Sequence, residues 1–292
     1  MEPLLWAIPI FIVTMAFELW VTRDGRVKGY EFKDTAASLS MGIGNLVFMF
    51  FGKIVSFTAL LALYEFRLFD LPADTWWVWV ALFFADDFVY YWFHRCSHEI
   101  RFFWAAHVNH HSSQHYNLST ALRQSWTGPL ISWVFWIPLP ILGFDPVFIV
   151  LAQSFSLLYQ YWIHTELVGK LGPFEWVFNT PSHHRVHHGS DPMYLDRNHG
   201  GILIVWDRIF GTFKEEETLP TYGLTRNIDS FNPVVVAFHE WAALTRDVAS
   251  AGGLLKAVGY LWHPPGWRAD GTGMTSEDLR KAALEKGTPG GP

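Results

Sequence analysis

Histidine sets the strongest constraint on this chain. His94-x3-His98 and His107-x2-His110-His111 fall within one short stretch, and His184-x2-His187-His188 repeats the second pattern about seventy residues later. Residues three and four apart on an α-helix share a face, roughly 5–6 Å apart at Cβ. Each motif is therefore expected to point two or three imidazoles at one spot. That arrangement suits a metal ion and is rarely produced by chance. Eight imidazoles exceed what one four-coordinate zinc takes, so the arithmetic predicts two metals. A single cysteine, Cys96, argues against an iron–sulfur site, and imidazole suits Fe, Zn, Cu or Ni. Glu99 follows His98, but no second histidine stands four residues after the first, so the HExxH of a zinc protease is not formed.

Around these motifs the chain is apolar. Half of its 292 residues are hydrophobic and 16% are charged, against about 25% in an ordinary soluble domain. Long apolar runs make it a membrane protein candidate. A net charge of -6 excludes a basic nucleic-acid footprint in bulk. The lone cysteine rules out an internal disulfide and is read as a packed bystander.

The expected fold is all-α and polytopic, with about four transmembrane helices near residues 4–21, 35–64, 76–93 and 129–162. The first is read as a retained span, because it lacks a basic n-region and a small-residue cleavage site. The second is too long for one straight span and is interrupted by Gly42, Gly44, Gly52 and Lys53, so either a tilted helix or a tight helical pair fits it. Arg23, Arg26, Lys28 and Lys33 flank the first span, which assigns that side to the cytosol. Counting spans from there puts every histidine motif on the cytosolic face. A helical cap is expected from residues 94–126 and 164–263, and a flexible tail from 264–292 with one helix starting at Thr275 or Ser276. The domain boundary is drawn at 1–263.

Several residues outside the motifs have competing readings. His164 follows a span and lies level with the clusters, so it is read as a ninth ligand. Asp87, deep in an apolar helix, either accepts a hydrogen bond from a ligand imidazole or pairs with Arg95 or Tyr91. Asn117, just after the second motif, either lines a substrate entrance or begins an ordinary helix capped by Ser119 or Thr120. Glu166, beside His164, joins Asp87 and Asn117 as a candidate catalytic group. His183 is expected to support its neighbours rather than ligate, His115 and His199 are open, and His239 and His263 are read as structural.

HRCSH, HVNHH and HRVHH resemble the three histidine boxes of the fatty acid hydroxylase / sterol desaturase superfamily of membrane di-iron enzymes, and NHGGILIVWDRIFGTF resembles its tail signature. The likeness runs from about Trp76 to Trp267. One departure is His199, where the family usually shows Tyr. The resemblance implies two irons held by His94, His98, His107, His110, His111, His184, His187 and His188, with His164 as ninth ligand. Zinc can replace iron in purified material. It further implies O2 activation and hydroxylation of a bilayer lipid, with either a pterin or a redox protein as electron donor. HHSSQHYNLSTALRQS and WDRIFGTF are most similar to members that cleave ether lipids with tetrahydrobiopterin, releasing a fatty aldehyde and glycerol. Alternatives within the fold are sterol or acyl hydroxylation and desaturation. A histidine-rich metal transporter or a zinc hydrolase fits less well, because the motifs gather at one end of the spans and outnumber a hydrolase's three ligands.

Overall fold

The structure is a computed structural model that describes residues 3–25 and 29–285; Arg26, Lys28 and residues 286–292 of the expected basic flank and tail lie outside the described residues. The protein is helical, and among the described residues the extended pairing consists of the isolated bridges Phe178–Leu203 and Gly189–Tyr222.

In chain order the helices are α1 Pro3–Thr22, α2 Phe32–Tyr64, α3 Trp76–Glu99, the single turns α4 Arg101–Trp104, α5 Val108–His111, α6 Gly128–Ile131 and α7 Pro138–Leu142, then α8 Pro146–Trp162, α9 Pro181–His187, α10 Val205–Phe210, α11 Pro233–Ala249, α12 Leu254–Trp262 and α13 Ser276–Glu285. Among the described residues α2 is the helix long and apolar enough to cross a membrane; the apolar parts of α1 and of 128–142 are shorter. Large apolar side chains stay exposed along the first three helices, including Trp6 and Phe17 on α1, Ile43 and Phe50 on α2, and Trp76 and Phe84 on α3. A belt of that extent marks a surface made for lipid or a partner, and together with α2 it points to a membrane protein.

The interrupted second stretch is one continuous helix. Its glycines are contact positions, not breaks. A Cβ on Gly42 would lie 2.8 Å from the Leu122 carbonyl oxygen, and one on Gly52 would lie 2.6 Å from that of Pro129. Gly44 meets the Trp126 ring in the same way. The 122–129 backbone therefore lies directly on α2, and Trp126 Nε1 donates to the Met41 carbonyl at 3.0 Å.

The 128–162 stretch folds as short turns followed by α8, reversing at Gly143 with φ of +108°. At the reversed end Leu60, Val78, Leu82, Trp136, Leu139, Phe144 and Ile149 form the main apolar core. Asp86 spans this junction by accepting from Trp136 Nε1 at 2.7 Å. At the other end polar groups are buried instead. Asp34, in the first turn of α2, accepts from Arg123 Nη1 at 2.7 Å and from Ser113 Oγ at 2.5 Å. Glu18 of α1 accepts from Thr165, from Tyr30 Oη and from the Leu118 amide. These bonds fasten α1 and α2 to the loops that follow the second histidine motif and α8.

Residues 233–262 form two helices, α11 and α12, clasped to α4. Arg101 donates to Glu240 and Asp247 at 2.7 Å each. The expected tail helix forms as α13, its first turn closed by reciprocal Thr275–Asp278 bonds. Arg280 donates to the Leu195 carbonyl at 2.8 Å, so this segment packs back onto the rest of the chain.

Candidate metal centre

The last two turns of α3 deliver His94 and His98. The α4–α5 corner delivers His107, His110 and His111, the end of α8 delivers His164, and α9 delivers His184, His187 and His188. α9 starts at Pro181, whose fixed φ suits the first helical turn. Its start is held by Glu175, which accepts from Thr180 Oγ1 at 2.8 Å and Ser182 Oγ at 2.7 Å.

The nine imidazoles converge in two groups. His94, His98, His107, His111 and His187 form one; His110, His164, His184 and His188 form the other, and within each group the candidate ligand atoms lie within 4.8 Å of one another. The sequence expectation that each motif serves one spot is corrected here. Adjacent residues on a helix point about 100° apart, so the paired histidines divide. His111 and His187 join the first group, whereas His110 and His188 join the second.

The donor chemistry fits two metal ions. His94 Nδ1 donates to the His199 carbonyl at 2.9 Å, His164 Nδ1 to the Gln160 carbonyl at 2.7 Å, and His187 Nδ1 to the Arg197 carbonyl at 3.0 Å. Those bonds fix the tautomer and leave each Nε2 lone pair aimed inward. His94 and His107 Nε2 are 3.1 Å apart, as are His111 and His107; His164 Nε2 lies 3.2 Å from that of His110 and 3.0 Å from that of His184. Two nitrogens bound at about 2.1 Å and at right angles on one ion would be about 3.0 Å apart. The Nε2 atoms of His98, His187 and His188 are buried with no protein partner, an arrangement proteins rarely tolerate unless something else binds there.

Burial and then the neighbouring imidazoles hold the pKa values of His107, His111, His184, His187 and His188 well below the ordinary histidine value. Burial lowers that of His164 to about 4. The rings are therefore neutral, as ligation requires.

The three candidate catalytic groups are placed differently from expectation. Asp87 touches neither an imidazole, Arg95 nor Tyr91. Its carboxylate accepts from the Ile202 and Leu203 amides at 2.8 and 3.1 Å and from Trp206 Nε1 at 2.9 Å. It lies two turns before His94 on the same side of α3, and its carboxylate meets the 202–206 segment instead of the imidazoles. Asn117 does not line an entrance: it is buried, accepts from Ser119 and donates to the Gly29 carbonyl at 3.0 Å, closing its own turn. Glu166 lies outside both groups, against Tyr222 and Tyr116.

Sequence reasoning missed Asp207. It accepts from the His199 and Gly200 amides at 2.7 Å each and from Thr212 Oγ1 at 2.6 Å. It thereby fixes the carbonyl that orients His94. The clue was an acid inside an apolar run, WDRIF. His199 is fully buried beside His98, with ring centroids 5.1 Å apart, but belongs to neither group. His183 is buried against Phe213 outside both groups, His115 faces the Gly29 carbonyl, His239 bonds the Val236 carbonyl and His263 stacks on Trp267.

Comparison with known proteins agrees with this geometry. Residues 79–212 match the family model described as Fatty acid hydroxylase. The alkylglycerol monooxygenase of Homo sapiens is 43% identical over 265 residues, covering 89% of this chain and 59% of that protein. The Danio rerio protein of the same name gives the same identity and coverage. Ornithine lipid hydroxylase of Rhizobium tropici is 30% identical over 129 residues, 44% of this chain and 39% of that protein. No solved structure matches. The matched segment, residues 79–212, spans all three histidine motifs. The chain is similar to the alkylglycerol monooxygenases and spans about three fifths of the length of the human and zebrafish proteins.

Proposed function

We propose that this protein is a membrane di-iron monooxygenase that hydroxylates a lipid carbon with O2, and that its substrates are alkylglycerol ethers. The convergence of nine imidazoles, eight of them buried, into groups of five and four carries the reading. The substrate class rests on the similarity to alkylglycerol monooxygenases. The domain runs from residue 1 to 263 as four spans with a cytosolic cap, and the exposed apolar belt on α1, α2 and α3 supports that topology.

His94, His98, His107, His111 and His187 would hold one iron, and His110, His164, His184 and His188 the other. The two ions would supply O2 activation. Overall, one oxygen atom enters a C–H bond and the other leaves as water, with two electrons and two protons drawn from a donor such as tetrahydrobiopterin. Hydroxylation beside the ether oxygen gives a hemiacetal, which collapses to a fatty aldehyde and glycerol. The residues contribute in three ways. Neutral imidazoles leave the positive charge of the ions uncompensated by the ligands, which favours binding of reduced oxygen. The His199, Gln160 and Arg197 carbonyls hold three of the rings in register. Burial keeps water from the oxidising centre.

The test is O2-dependent turnover of iron-reconstituted protein in lipid, supplied with an alkylglycerol and tetrahydrobiopterin. Aldehyde release supports the reading. O2 uptake with another lipid alone would move it to a different substrate, and no O2 chemistry with any lipid or donor would sink it. Zinc in a purified sample would not count against it, because zinc accepts the same ligands.

A further inference from the structure

One short loop, residues 196–199, meets three of the five histidines in the first group through their outer nitrogens. The Arg197 carbonyl accepts from His187 Nδ1 at 3.0 Å, and the His199 carbonyl accepts from His94 Nδ1 at 2.9 Å. The third contact differs in kind. The Asp196 carboxylate lies 3.4 Å from His98 Nδ1, while His98 Nε2, across the ring, is buried with no protein partner.

The backbone is bent to make these contacts. Asp196 and Asn198 are the two non-glycine residues with positive φ among the described residues, at 51° and 56°. That conformation is costly for an L-residue and persists where the surroundings enforce it. Here they do. Asn198 is fully buried, donates to the His183 and Lys214 carbonyls at 3.0 and 2.7 Å, and accepts from the Lys214 amide at 2.8 Å. Asp207 holds the His199 amide at 2.7 Å, and Arg280 of α13 donates to the Leu195 carbonyl just before the loop.

The four-histidine group is held differently. His164 Nδ1 meets the Gln160 carbonyl, but His110 and His184 Nδ1 are buried with no protein partner. Among the described residues, His98 is the histidine of either group that has a carboxylate against it.

Resting on the di-iron reading, we propose that Asp196 is a positioning residue that makes the two irons unequal. Its negative charge, acting through His98, favours the oxidised state of the five-histidine iron and gives that iron the lower potential of the pair. At 3.4 Å the contact is longer than the carbonyl bonds and works mainly through charge. A neutral imidazole does not cancel that charge, so it bears on the ion beyond the ring, more strongly on a ferric ion than on a ferrous one. The Asp196 side chain is 20% exposed and that of His98 5%, so water screens the pair only in part. Among the described residues no lysine or arginine forms an ion pair with Asp196, and the neighbouring Arg197 donates to the Gly211 carbonyl at 3.2 Å instead.

The test is a redox titration of the iron-loaded full chain in nanodiscs, under argon with soluble mediators and without substrate, so no turnover is needed. Two one-electron steps are expected, and the lower one should survive in His184→Ala, which empties the four-histidine group. Asp196→Asn removes the charge, keeps an oxygen, and suits positive φ as well as aspartate does. It should raise the lower step, leave the upper step in place, and weaken binding of one iron about tenfold. Asp196→Gly, which frees the backbone and also lacks the charge, should shift the lower step in the same direction. An unmoved lower step in both variants, an equal shift of both steps, or weaker binding without a shift would each overturn the proposal. The last outcome would make Asp196 a structural residue of the loop. Failure of the di-iron reading shows separately, as fewer than two irons bound by the unaltered chain.

Discussion

α2 and α9 are built on opposite principles. α2 is apolar and leaves much of its surface open, with Ile43 70% and Phe50 63% exposed. α9 reads PSHHRVH, and all seven residues are buried. In water alone both would be costly, one for its exposed apolar surface and the other for its buried polar groups. In the proposed function each is resolved by something outside the polypeptide: a bilayer around α2, and metal ions beside α9.

Removing a ligand tests the α9 side most severely. His184→Ala should empty the four-histidine group and leave one iron per chain, and His107→Ala should do the same to the five-histidine group. Activity should fall at least about 100-fold in either, the upper end of what even loss of a ligand's supporting bond costs, with the protein still extractable from membranes. Full turnover in either variant would break the comparison. Next in size is the buried pair that ties α2 to the loop after the second motif. Arg123→Ala strands Asp34 and should cost about 3–5 kcal/mol, seen as a lower unfolding midpoint in detergent. Replacing both partners with apolar residues should recover much of that loss.

Asp207→Ala separates orientation from ligation. The His199 and Gly200 amides lose their acceptor, the carbonyl that orients His94 loosens, and affinity for one iron should drop about 10–100-fold. The iron held by the four-histidine group should be unaffected, so a titration that weakens both equally would contradict the division into five and four. On the α2 side, Gly52→Val places a side chain against the Pro129 carbonyl and should destabilise by about 1–3 kcal/mol. Phe50→Ala, two residues away but facing outward, should change stability by less than about 0.5 kcal/mol. Equal effects from these two would show that α2 does not distinguish a lipid face from a contact face.

How much was readable in advance follows the same division. The converging histidines were legible because a metal site calls for one residue type at helical spacing, and even His164 could be placed among them from its position at the end of an apolar span. Their partition was not. Whether His110 and His111 share an ion or split between two depends on how the α4–α5 corner meets α9, and no local pattern records that. Asp87 was recognised as a significant buried acid but given the wrong neighbours, because its partners Ile202, Leu203 and Trp206 lie more than a hundred residues away. Asn117 was read as a catalytic or entrance residue with a helix start as the alternative, and its bonds to Ser119 and the Gly29 carbonyl make it a turn former.

The sequence by itself determined the chemistry: which side chains could bind metal, which stretches are apolar enough for lipid, and where α13 begins. Spacing and hydropathy are local properties, and local physics suffices for them. Only the tertiary structure decided that Gly42, Gly44 and Gly52 are docking points on a continuous α2, that nine imidazoles divide into five and four, and that residues 264–285 fold back over the centre. Each of these depends on surfaces brought together from distant parts of the chain, where packing between helices overrides any preference written within one of them.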